Sequence, residues 1–385
     1  MIRTVVLMGT RPEAIKMAPV QRALVESDDF EPILVSTGQH REMLAQVLSV
    51  FDLELDRDLA VMTRNQTLAG LTARLAESID NMLEDVKPDA LLVQGDTSSV
   101  MVGALCGFYR NIPVGHVEAG LRTHNMRSPF PEEANRVLAS KLVSYHFPPT
   151  PGAKAHLLQE GIDEQHMVVT GNTVIDALLW ESERQKSDAS LKASLAAELA
   201  QLLKDAGSPL TRLDDRDFIL ITGHRRENFG DGFERICRAL IALAKRYPDC
   251  RLVYPVHLNP NVNDVVRGIL GDQENIVLLP PLHYRLFIHL MSGAKVILTD
   301  SGGVQEEAPS LGKPVLVMRD TTERPEGVEA GTVKLVGTDD EAIVSEVSRL
   351  LDDSDEYARM SEAQNPYGDG RAASRILDYL RTRLG

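Results

Sequence analysis

The chain has 385 residues and a formal net charge of −15, with 43% hydrophobic and 25% charged residues. This length is too great for one ordinary hydrophobic core and predicts two domains. The acidic balance excludes non-specific binding to nucleic acid or to anionic lipid, since both need clustered Lys and Arg, and three cysteines without a CxxC pair indicate neither a disulfide framework nor a zinc site.

The first element in chain order is a short apolar run, MIRTVVLMGT. This run is typical of a buried strand and not of a secretory signal. The sequence also contains no uninterrupted apolar stretch long enough to span a bilayer. We therefore expect a cytoplasmic protein with no membrane partner.

The first half of the chain alternates short apolar runs with longer amphipathic stretches. Six runs are typical of buried strands: RTVVLM, EPILVS, DALLVQ, IPVGHV, LVSYHF and HMVVTG. The segments between them, such as residues 13–26 and 68–84, have helical spacing. Continuous apolar runs favour parallel strands covered on both faces, and the strand–helix repetition predicts a doubly wound α/β sheet.

A polar helical region near residues 176–215 interrupts this alternation, which then restarts. The second set of strand-like runs is DFILIT, CRLVYP, NIVLL, AKVILT, KPVLVM and TVKLVG. We therefore predict two Rossmann-like α/β domains, formed by residues 1–172 and 173–365. In such folds ligands bind at the carboxyl ends of the strands, so we expect a site in the cleft between the domains.

The first predicted strand is followed by charged residues with two possible uses. Thr10 and Glu13 have the spacing of a capping box, and a well-capped helix is the simpler interpretation. Arg11 and Lys16, however, stand at the strand end, where cations can meet an anionic ligand. Asp96 follows the DALLV run in the same way, either as a helix N-cap or as a catalytic carboxylate.

Three more acidic residues lie near later strand ends. Glu118 sits between a strand and a glycine turn, where a glutamate has no evident structural task. Glu132 and Glu133 open a predicted helix, where acids complement the helix dipole. Glu132 and Arg136 are also spaced i,i+4, as in a surface ion pair. These carboxylates therefore serve either a site or a helix terminus.

The second half places its densest cationic cluster after the DFIL run. His224, Arg225 and Arg226 follow a glycine there, which favours contact with an anion over a solvated run of charge. His257 follows another predicted strand, where a packed loop histidine is equally consistent with the pattern.

A Ser-Gly-Gly sequence, Ser301–Gly303, follows the strand-like run that ends at Asp300. Glycines let the main chain approach a ligand closely, and the unpaired N–H groups at a helix start attract anions. We therefore predict a phosphate site at Ser301, Gly302 and Gly303, with a plain tight turn as the alternative. Glu307 lies further along the helix, where a carboxylate can accept hydrogen bonds from ribose hydroxyls.

Several other functions lack their sequence signature. No GxGxxG follows a strand, so the fingerprint of an NAD site is missing. The chain also has no P-loop, no GxSxG nucleophile elbow and no His/Cys/Asp group with metal spacing. We therefore expect neither a cofactor nor a metal ion.

Long motifs in order along almost the whole chain resemble those of the non-hydrolysing UDP-N-acetylglucosamine 2-epimerases. They are GTRPEAIKMAP, TGQHREML, GDT, IPVGHVEAGLRT, SPFPEEANR, TGNTVIDAL, GHRREN, VYPVHLNPNV, LTDSGGVQEEAPSLGKPVLVMRDTTERPEG and NPYGDGRA. The resemblance implies the two-domain glycosyltransferase-B architecture, a homodimer and a UDP-sugar substrate. It also implies that a tail helix within residues 366–385 packs back on the N-terminal domain.

The resemblance further implies roles for individual residues. Asp96, Glu118 and Glu132 match the catalytic carboxylates and His224 matches a catalytic histidine. The matches for substrate and UDP binding are Arg11, Lys16, Arg136, Phe287, Ser301, Gly302, Gly303, Glu307 and Arg324. A second, regulatory UDP-N-acetylglucosamine is bound by many bacterial members, and its contacts correspond to Gln39, Glu42, Arg225 and His257. The chain departs from the usual family residues at Gln94, which replaces a His, and at Asn65 and Glu42.

The chemistry that the resemblance implies is epimerisation at C2 without NAD. A base removes the C2 proton as UDP leaves C1, giving 2-acetamidoglucal, and UDP then adds back to give UDP-N-acetylmannosamine. The residues do not decide which carboxylate is the base and which the acid. Three alternatives stay open: a retaining glycosyltransferase with a UDP-sugar donor, a hydrolysing 2-epimerase, and a catalytically inactive UDP-sugar sensor.

Overall fold

A computed structural model describes residues 1–38, 41–63, 66–208, 213 and 217–385, with the main chain alone for residues 41–43. The chain forms two units: Met1–Ala177 together with Tyr367–Gly385, and Leu178–Pro366. Each unit is built on a six-stranded sheet, and every strand pair in both sheets is parallel. The predicted doubly wound α/β class is therefore confirmed.

The first unit has the strand order β3-β2-β1-β4-β5-β6. Its strands are β1 Ile2–Met8, β2 Phe30–Ser36, β3 Arg57–Asp58, β4 Ala90–Gln94, β5 Val114–Val117 and β6 Tyr145–Phe147. Its helices include α1 Arg11–Val25, α2 Arg41–Val50, α3 Leu68–Val86, α4 Ser98–Tyr109, α5 Glu132–Leu142 and α6 Pro151–Gln159. The next helix, α7 Thr173–Ser187, runs across the boundary between the two units. All five residues of β4 are buried, as expected for a central parallel strand.

One strand prediction is wrong. The run HMVVTG does not form a strand; Met167 makes only an isolated bridge with His146. Its apolar character has another cause, since Met167 packs into a small cluster with Ala119 and Leu157. The sixth strand of this sheet is instead β3, a pair of polar residues beside β2 that no apolar pattern marks.

The second unit repeats the same winding. Its sheet has the order β12-β11-β10-β7-β8-β9. The strands are β7 Phe218–Thr222, β8 Arg251–Pro255, β9 Ile276–Leu279, β10 Val296–Thr299, β11 Val315–Val317 and β12 Val333–Leu335. The helices are α8 Ala189–Asp205, α9 Asp231–Arg246, α10 Pro260–Leu270, α11 Tyr284–Gly293, α12 Gly302–Glu307, α13 Pro325–Glu329, α14 Asp340–Asp352 and α15 Ser354–Ser361.

The two sheets share one topological feature that locates their ligand sites. In each, the first strand of the unit pairs on one side with the second strand and on the other side with the fourth, as β1 does with β2 and β4 and β7 with β8 and β10. The winding reverses between the first and fourth strands. Open α/β sheets bind ligands outside the carboxyl ends of the strands at such a switch point.

Helix α16, Ala372–Leu384, belongs to the first unit although it follows the whole of the second unit in sequence. The carboxylate of Asp176 accepts hydrogen bonds from the main-chain N–H groups of Ala372 and Ala373, at 3.2 and 2.9 Å. These bonds satisfy two N–H groups of the first turn that the helix cannot pair internally. The pKa of Asp176 is raised to about 6, mainly by burial.

This raised pKa predicts a pH-dependent contribution to stability. A carboxyl group whose pKa is higher in the folded than in the unfolded state stabilises the fold fully below its unfolded value, near 4. That contribution is lost as the pH rises through about 6. We therefore expect the melting temperature of the native protein, relative to that of Asp176→Asn, to fall between about pH 4 and pH 6. Thermal unfolding of both proteins across this range measures the difference; a constant difference would contradict the prediction.

Candidate active site

The turn after β1 is fixed by the predicted capping box. Thr10 Oγ1 accepts a hydrogen bond from the N–H of Glu13 at 3.5 Å, and Glu13 Oε2 accepts from the N–H groups of Thr10 and Gly9 at 2.7 and 3.1 Å. Pro12 lies in the first turn of α1, where its missing N–H costs nothing. The simpler interpretation of Thr10 and Glu13, a well-capped helix, is thus confirmed. Arg11 and Lys16 consequently lie in the first turns of α1.

Glu13 has a second contact that no pattern in the sequence predicts. Its Oε1 accepts a hydrogen bond from Thr97 Oγ1 at 2.8 Å, and Thr97 is the N-cap of α4. The side chain therefore joins the turn after β1 to the turn after β4, on the two sides of the switch point. Burial raises the pKa of Glu13, and the hydrogen bonds from Thr10, Thr97 and Gly9 oppose this shift.

Glu118 lies just after β5 with a left-handed backbone, φ +62°. Its Oε1 is 2.5 Å from Lys16 Nζ and 3.1 Å from Asn172 Nδ2, and its Oε2 accepts a hydrogen bond from Gln94 Nε2. The residue is buried. A side chain that needs one cation and two amides to hold it, on a backbone that non-glycine residues rarely adopt, is typical of a functional position.

Asp96 follows β4 and pairs with Arg136, whose Nη2 is 3.0 Å from Asp96 Oδ2. Burial raises the pKa of Asp96; Arg136 and Lys16 oppose this, while the charges of Glu118 and Glu132 reinforce it. Glu118 lies beside the same turn, since a Cβ atom on Gly95 would be 3.9 Å from Glu118 Oε2. The charges of Glu118 and Glu132 both act on Asp96, so the three carboxylates are neighbours. They form an acidic cluster that Lys16 and Arg136 partly neutralise.

The turn that carries Asp96 is held by neutral donors. His116 Nε2 lies 2.7 Å from the carbonyl oxygen of Gly95, and Asn135 Nδ2 donates to the carbonyl oxygen of Asp96 at 2.9 Å. Burial lowers the pKa of His116 to about 4, so the ring is neutral near pH 7 and Nε2 carries the proton. No sequence pattern marks His116 as a site residue, because it stands inside β5 and not at its end.

The paired acids at the start of α5 have separate tasks. Glu133 is buried, and its Oε1 accepts from the N–H groups of Thr123 and His124 at 3.0 and 2.9 Å. Glu132 is only partly buried. The alternative of a surface ion pair between Glu132 and Arg136 is wrong: Arg136 is buried, and its Nε reaches the Glu133 carboxylate at 3.4 Å.

In the second unit, Asp300 organises the loop after β7. Its Oδ2 accepts hydrogen bonds from the N–H groups of His224 and Arg225, each at 2.8 Å, and it is fully buried. In the sequence, Asp300 stands out only as the end of a strand-like run. Its position after β10, beside β7, ties together the two strand ends at this switch point.

His224 is the predicted histidine of the site. Its Nδ1 lies 3.4 Å from Asp300 Oδ1, and its ring stacks on that of His257 with centroids 5.5 Å apart. Burial lowers the pKa of His224; Asp300 opposes the shift, and His257 and Arg225 reinforce it. An anion placed beside the ring would oppose this lowering of the pKa.

The Ser-Gly-Gly turn begins α12. Ser301 is its N-cap, yet no side chain caps the helix; the N–H of Ser301 itself donates to Thr299 Oγ1 at 2.9 Å. A Cβ atom on Gly302 would lie 2.5 Å from Arg324 Nη1. Arg324 is held there by Glu306, at 2.5 Å from Nε to Oε1. The first N–H groups of α12 thus lack a side-chain cap and have a guanidinium beside them, which suits an anion.

The remaining predicted residues are distributed as follows. Phe287 lies partly buried on α11 and Glu307 partly buried on α12. Of the residues assigned to a second ligand, Arg225 and His257 lie beside His224. The structure describes only the main chain of Glu42, which belongs to α2. Gln39 and Asn65 lie outside the described residues.

The described residues offer neither a metal site nor a membrane span. The described part of the chain holds no group of three or more His, Cys, Asp or Glu residues that could bind a metal ion. Among the same residues, no helix is long and apolar enough to cross a membrane.

Two Rossmann-like parallel sheets, each with polar residues gathered at its switch point, define an α/β protein of the glycosyltransferase-B class. The family model for UDP-N-acetylglucosamine 2-epimerase matches residues 22–381. The chain belongs to this family, as its motifs predicted.

Individual relatives are similar over nearly their whole length. A UDP-N-acetylglucosamine 2-epimerase of Escherichia coli K12 is 53% identical over 380 residues, which cover 99% of this chain and 98% of the relative. A Neisseria meningitidis UDP-GlcNAc 2-epimerase, solved with UDP-GlcNAc bound, is 46% identical with a TM-score of 0.87, covering 99% of this chain and 100% of that one. A Staphylococcus aureus protein solved with UDP is 43% identical with a TM-score of 0.84, covering 100% and 97%.

Proposed function

We propose that the protein interconverts UDP-N-acetylglucosamine and UDP-N-acetylmannosamine, as the names of its relatives indicate. The observation that carries the proposal is the division of charge between the two switch points. The acidic cluster of Asp96, Glu118 and Glu132 belongs to one unit, and the uncapped start of α12 with His224 and Arg324 belongs to the other. A nucleotide sugar needs both: cationic and N–H groups for its diphosphate and carboxylates for its ring.

The reaction that fits these groups is elimination followed by re-addition. A carboxylate takes the C2 proton, the C2–H electron pair forms the C1=C2 double bond, and the C1–O bond breaks to release UDP. Protonation of the 2-acetamidoglucal at the opposite face of C2, with return of the UDP oxygen to C1, gives the epimer. The oxidation state of the sugar is unchanged overall, so this route needs no NAD.

The contacts in the first unit favour different roles for two of the carboxylates. Glu118 accepts from an ammonium group and two amides, which stabilise its ionised form and suit it to be the base. Asp96 has a raised pKa, which suits it to carry the proton that is returned to C2. Lys16 and Arg136 hold these two carboxylates in place, and Arg11 at the start of α1 is available to the diphosphate.

In the second unit we propose that the diphosphate rests on the N–H groups of Gly302 and Gly303. Arg324, which is already fixed beside them, then neutralises charge that develops on UDP as it leaves. His224 gains a proton when the anion binds, because a neighbouring negative charge raises the pKa of an imidazole. Phe287 and Glu307 are assigned to the uracil and the ribose.

Incubation with UDP-N-acetylglucosamine in D₂O, followed by NMR, tests the function. We expect deuterium at C2 of both epimers without added NAD or metal ion. A glycosyltransferase would leave the C2–H bond intact, a hydrolysing epimerase would release free N-acetylmannosamine with UDP, and a sensor would bind without turnover. An active preparation that incorporates no deuterium would overturn the mechanism.

The homodimer that the family resemblance implied and the cytoplasmic location that the apolar runs of the sequence predicted are also part of the proposal. Helices α4 and α5 pack together and expose the apolar side chains of Phe108, Tyr109 and Leu138. Exposed apolar clusters of this kind often mark contacts between proteins. Light scattering tests the first point by the molar mass, and cell fractionation tests the second.

A further inference from the structure

The Glu118 carboxylate is held by donors from three separate segments of the first unit. Lys16 comes from α1, Gln94 from the end of β4, and Asn172 from the residue before the start of α7. Gln94 binds one carboxylate oxygen and Asn172 the other. Both amides are buried, so water does not compete freely for the same bonds.

The orientation of the Asn172 amide is fixed independently of Glu118. Asn172 Oδ1 accepts a hydrogen bond from the N–H of Val174 at 3.1 Å, in the first turn of α7. Only the oxygen of an amide can accept, so Nδ2 must be the atom that faces Glu118. The main-chain N–H of Asn172 donates to the carbonyl oxygen of Tyr367 at 2.7 Å, which anchors the residue from a further side.

Glu118 depends on such fixation because of its backbone. A non-glycine residue at φ +62° is in a sparsely populated conformation that persists only where the surroundings hold it. A long side chain on a strained backbone has other rotamers available. Displacement of a reacting group by about 1 Å can lower the reaction rate about a hundredfold. Loss of the hydrogen bonds that hold the Glu118 carboxylate should therefore lower kcat measurably.

We propose that Asn172, together with Gln94, is a positioning residue that holds the Glu118 carboxylate at the reacting carbon. The inference rests on the proposed function and deepens it, since neither amide touches the sugar in this scheme. The other charged or titratable groups that act on Glu118 or share its surroundings are Lys16, Asp96 and His116. The two amides differ from these three because they do not titrate.

The variant Asn172→Asp separates positioning from helix capping. Aspartate keeps the Oδ1 acceptor for Val174, and it is as good a helix cap as asparagine. It replaces the N–H donor with a second negative oxygen beside Glu118. This change removes the hydrogen bond that holds the Glu118 carboxylate and favours protonation of Glu118. We expect kcat for C2 exchange to fall about 10- to 100-fold with KM and the Kd for UDP unchanged. The acidic limb of the kcat–pH profile should move up by about one unit.

Two further variants make the result decisive. Gln94→Glu makes the same change at the other oxygen of Glu118 and should shift kcat and the acidic limb in the same direction, even if Asn172→Asp folds poorly. Asn259→Asp is the matched control, because Asn259 Oδ1 also caps a helix through the N–H of Asn261. The control should retain the kcat and the pH profile of the native protein.

The outcomes distinguish this inference from the proposed function. If the native protein incorporates no deuterium at C2, the proposed function fails. If the native protein exchanges C2–H and both Asn172→Asp and Gln94→Glu keep its kcat and its acidic limb, the inference alone is overturned. A loss of thermal stability without a change in kcat would show that the amides serve only the fold.

Discussion

Replacing Glu118 with Gln is expected to lower the rate of C2–H exchange by about a thousandfold, within the range that general acid–base groups contribute. The change is nearly isosteric, but it removes the negative charge and places an amide against Lys16, Gln94 and Asn172, which are all donors. The NMR assay in D₂O measures the rate. Calorimetric titration with UDP should give a largely unchanged Kd, because Glu118 is not among the proposed diphosphate contacts, most of which lie in the other unit.

The control for this substitution is Glu31→Gln. Glu31 pairs with Arg3 near the surface of the same unit, with 43% of each side chain exposed. Exposed pairs of this kind contribute little to stability, so the variant should exchange C2–H at the native rate. Full activity of Glu118→Gln would remove Glu118 from the catalytic residues, and the inference about Asn172 would fail with it.

Replacing Gly302 with Ala is expected to weaken UDP binding about a hundredfold, or about 2.7 kcal/mol. The new Cβ would lie 2.5 Å from Arg324 Nη1 and 2.7 Å from its Cζ, closer than atoms can approach. Either the guanidinium leaves the buried Glu306 or the turn moves away, and both outcomes disturb the proposed phosphate site. Titration with UDP measures the loss.

Gly268→Ala is the control for this second substitution. Gly268 lies within α10, and a Cβ atom there would meet nothing within 4 Å. Alanine in a helix is favoured over glycine by about 1 kcal/mol, so this variant should be as stable as the native protein or more so, with unchanged affinity for UDP. Unaltered UDP binding by Gly302→Ala would place the diphosphate elsewhere.

Much of the fold follows from local sequence patterns. A run such as ALLVQ in β4 is apolar on both faces, and only a central parallel strand buries both faces at once. The apolar pattern mispredicts strands where strand formation depends on tertiary contacts and not on the local sequence. Arg57 and Asp58 form β3 through pairing with β2 alone, and the apolar character of Met167 serves side-chain packing instead of a strand.

The position of the candidate site was predictable to the extent that its proposed residues lie at strand ends. Asp96, Glu118 and His224 each follow a predicted strand, so the sequence pattern places each of them at the carboxyl edge of a sheet. The residues that hold them were not predictable. Asn172 and Asp300 act through contacts with segments 54 and 76 residues away, and no spacing within one segment reveals such a partner.

The discontinuous first unit has a consequence for synthesis on the ribosome. Helix α16 packs on α1, but it is translated only after all of Leu178–Pro366. Domains usually fold in the order in which they are made, yet here the second unit can complete its own sheet while the nascent first unit still lacks a helix. The apolar face of α1 that α16 covers therefore stays exposed to solvent until α16 has been translated. We expect a chaperone that binds the nascent chain to contact this face.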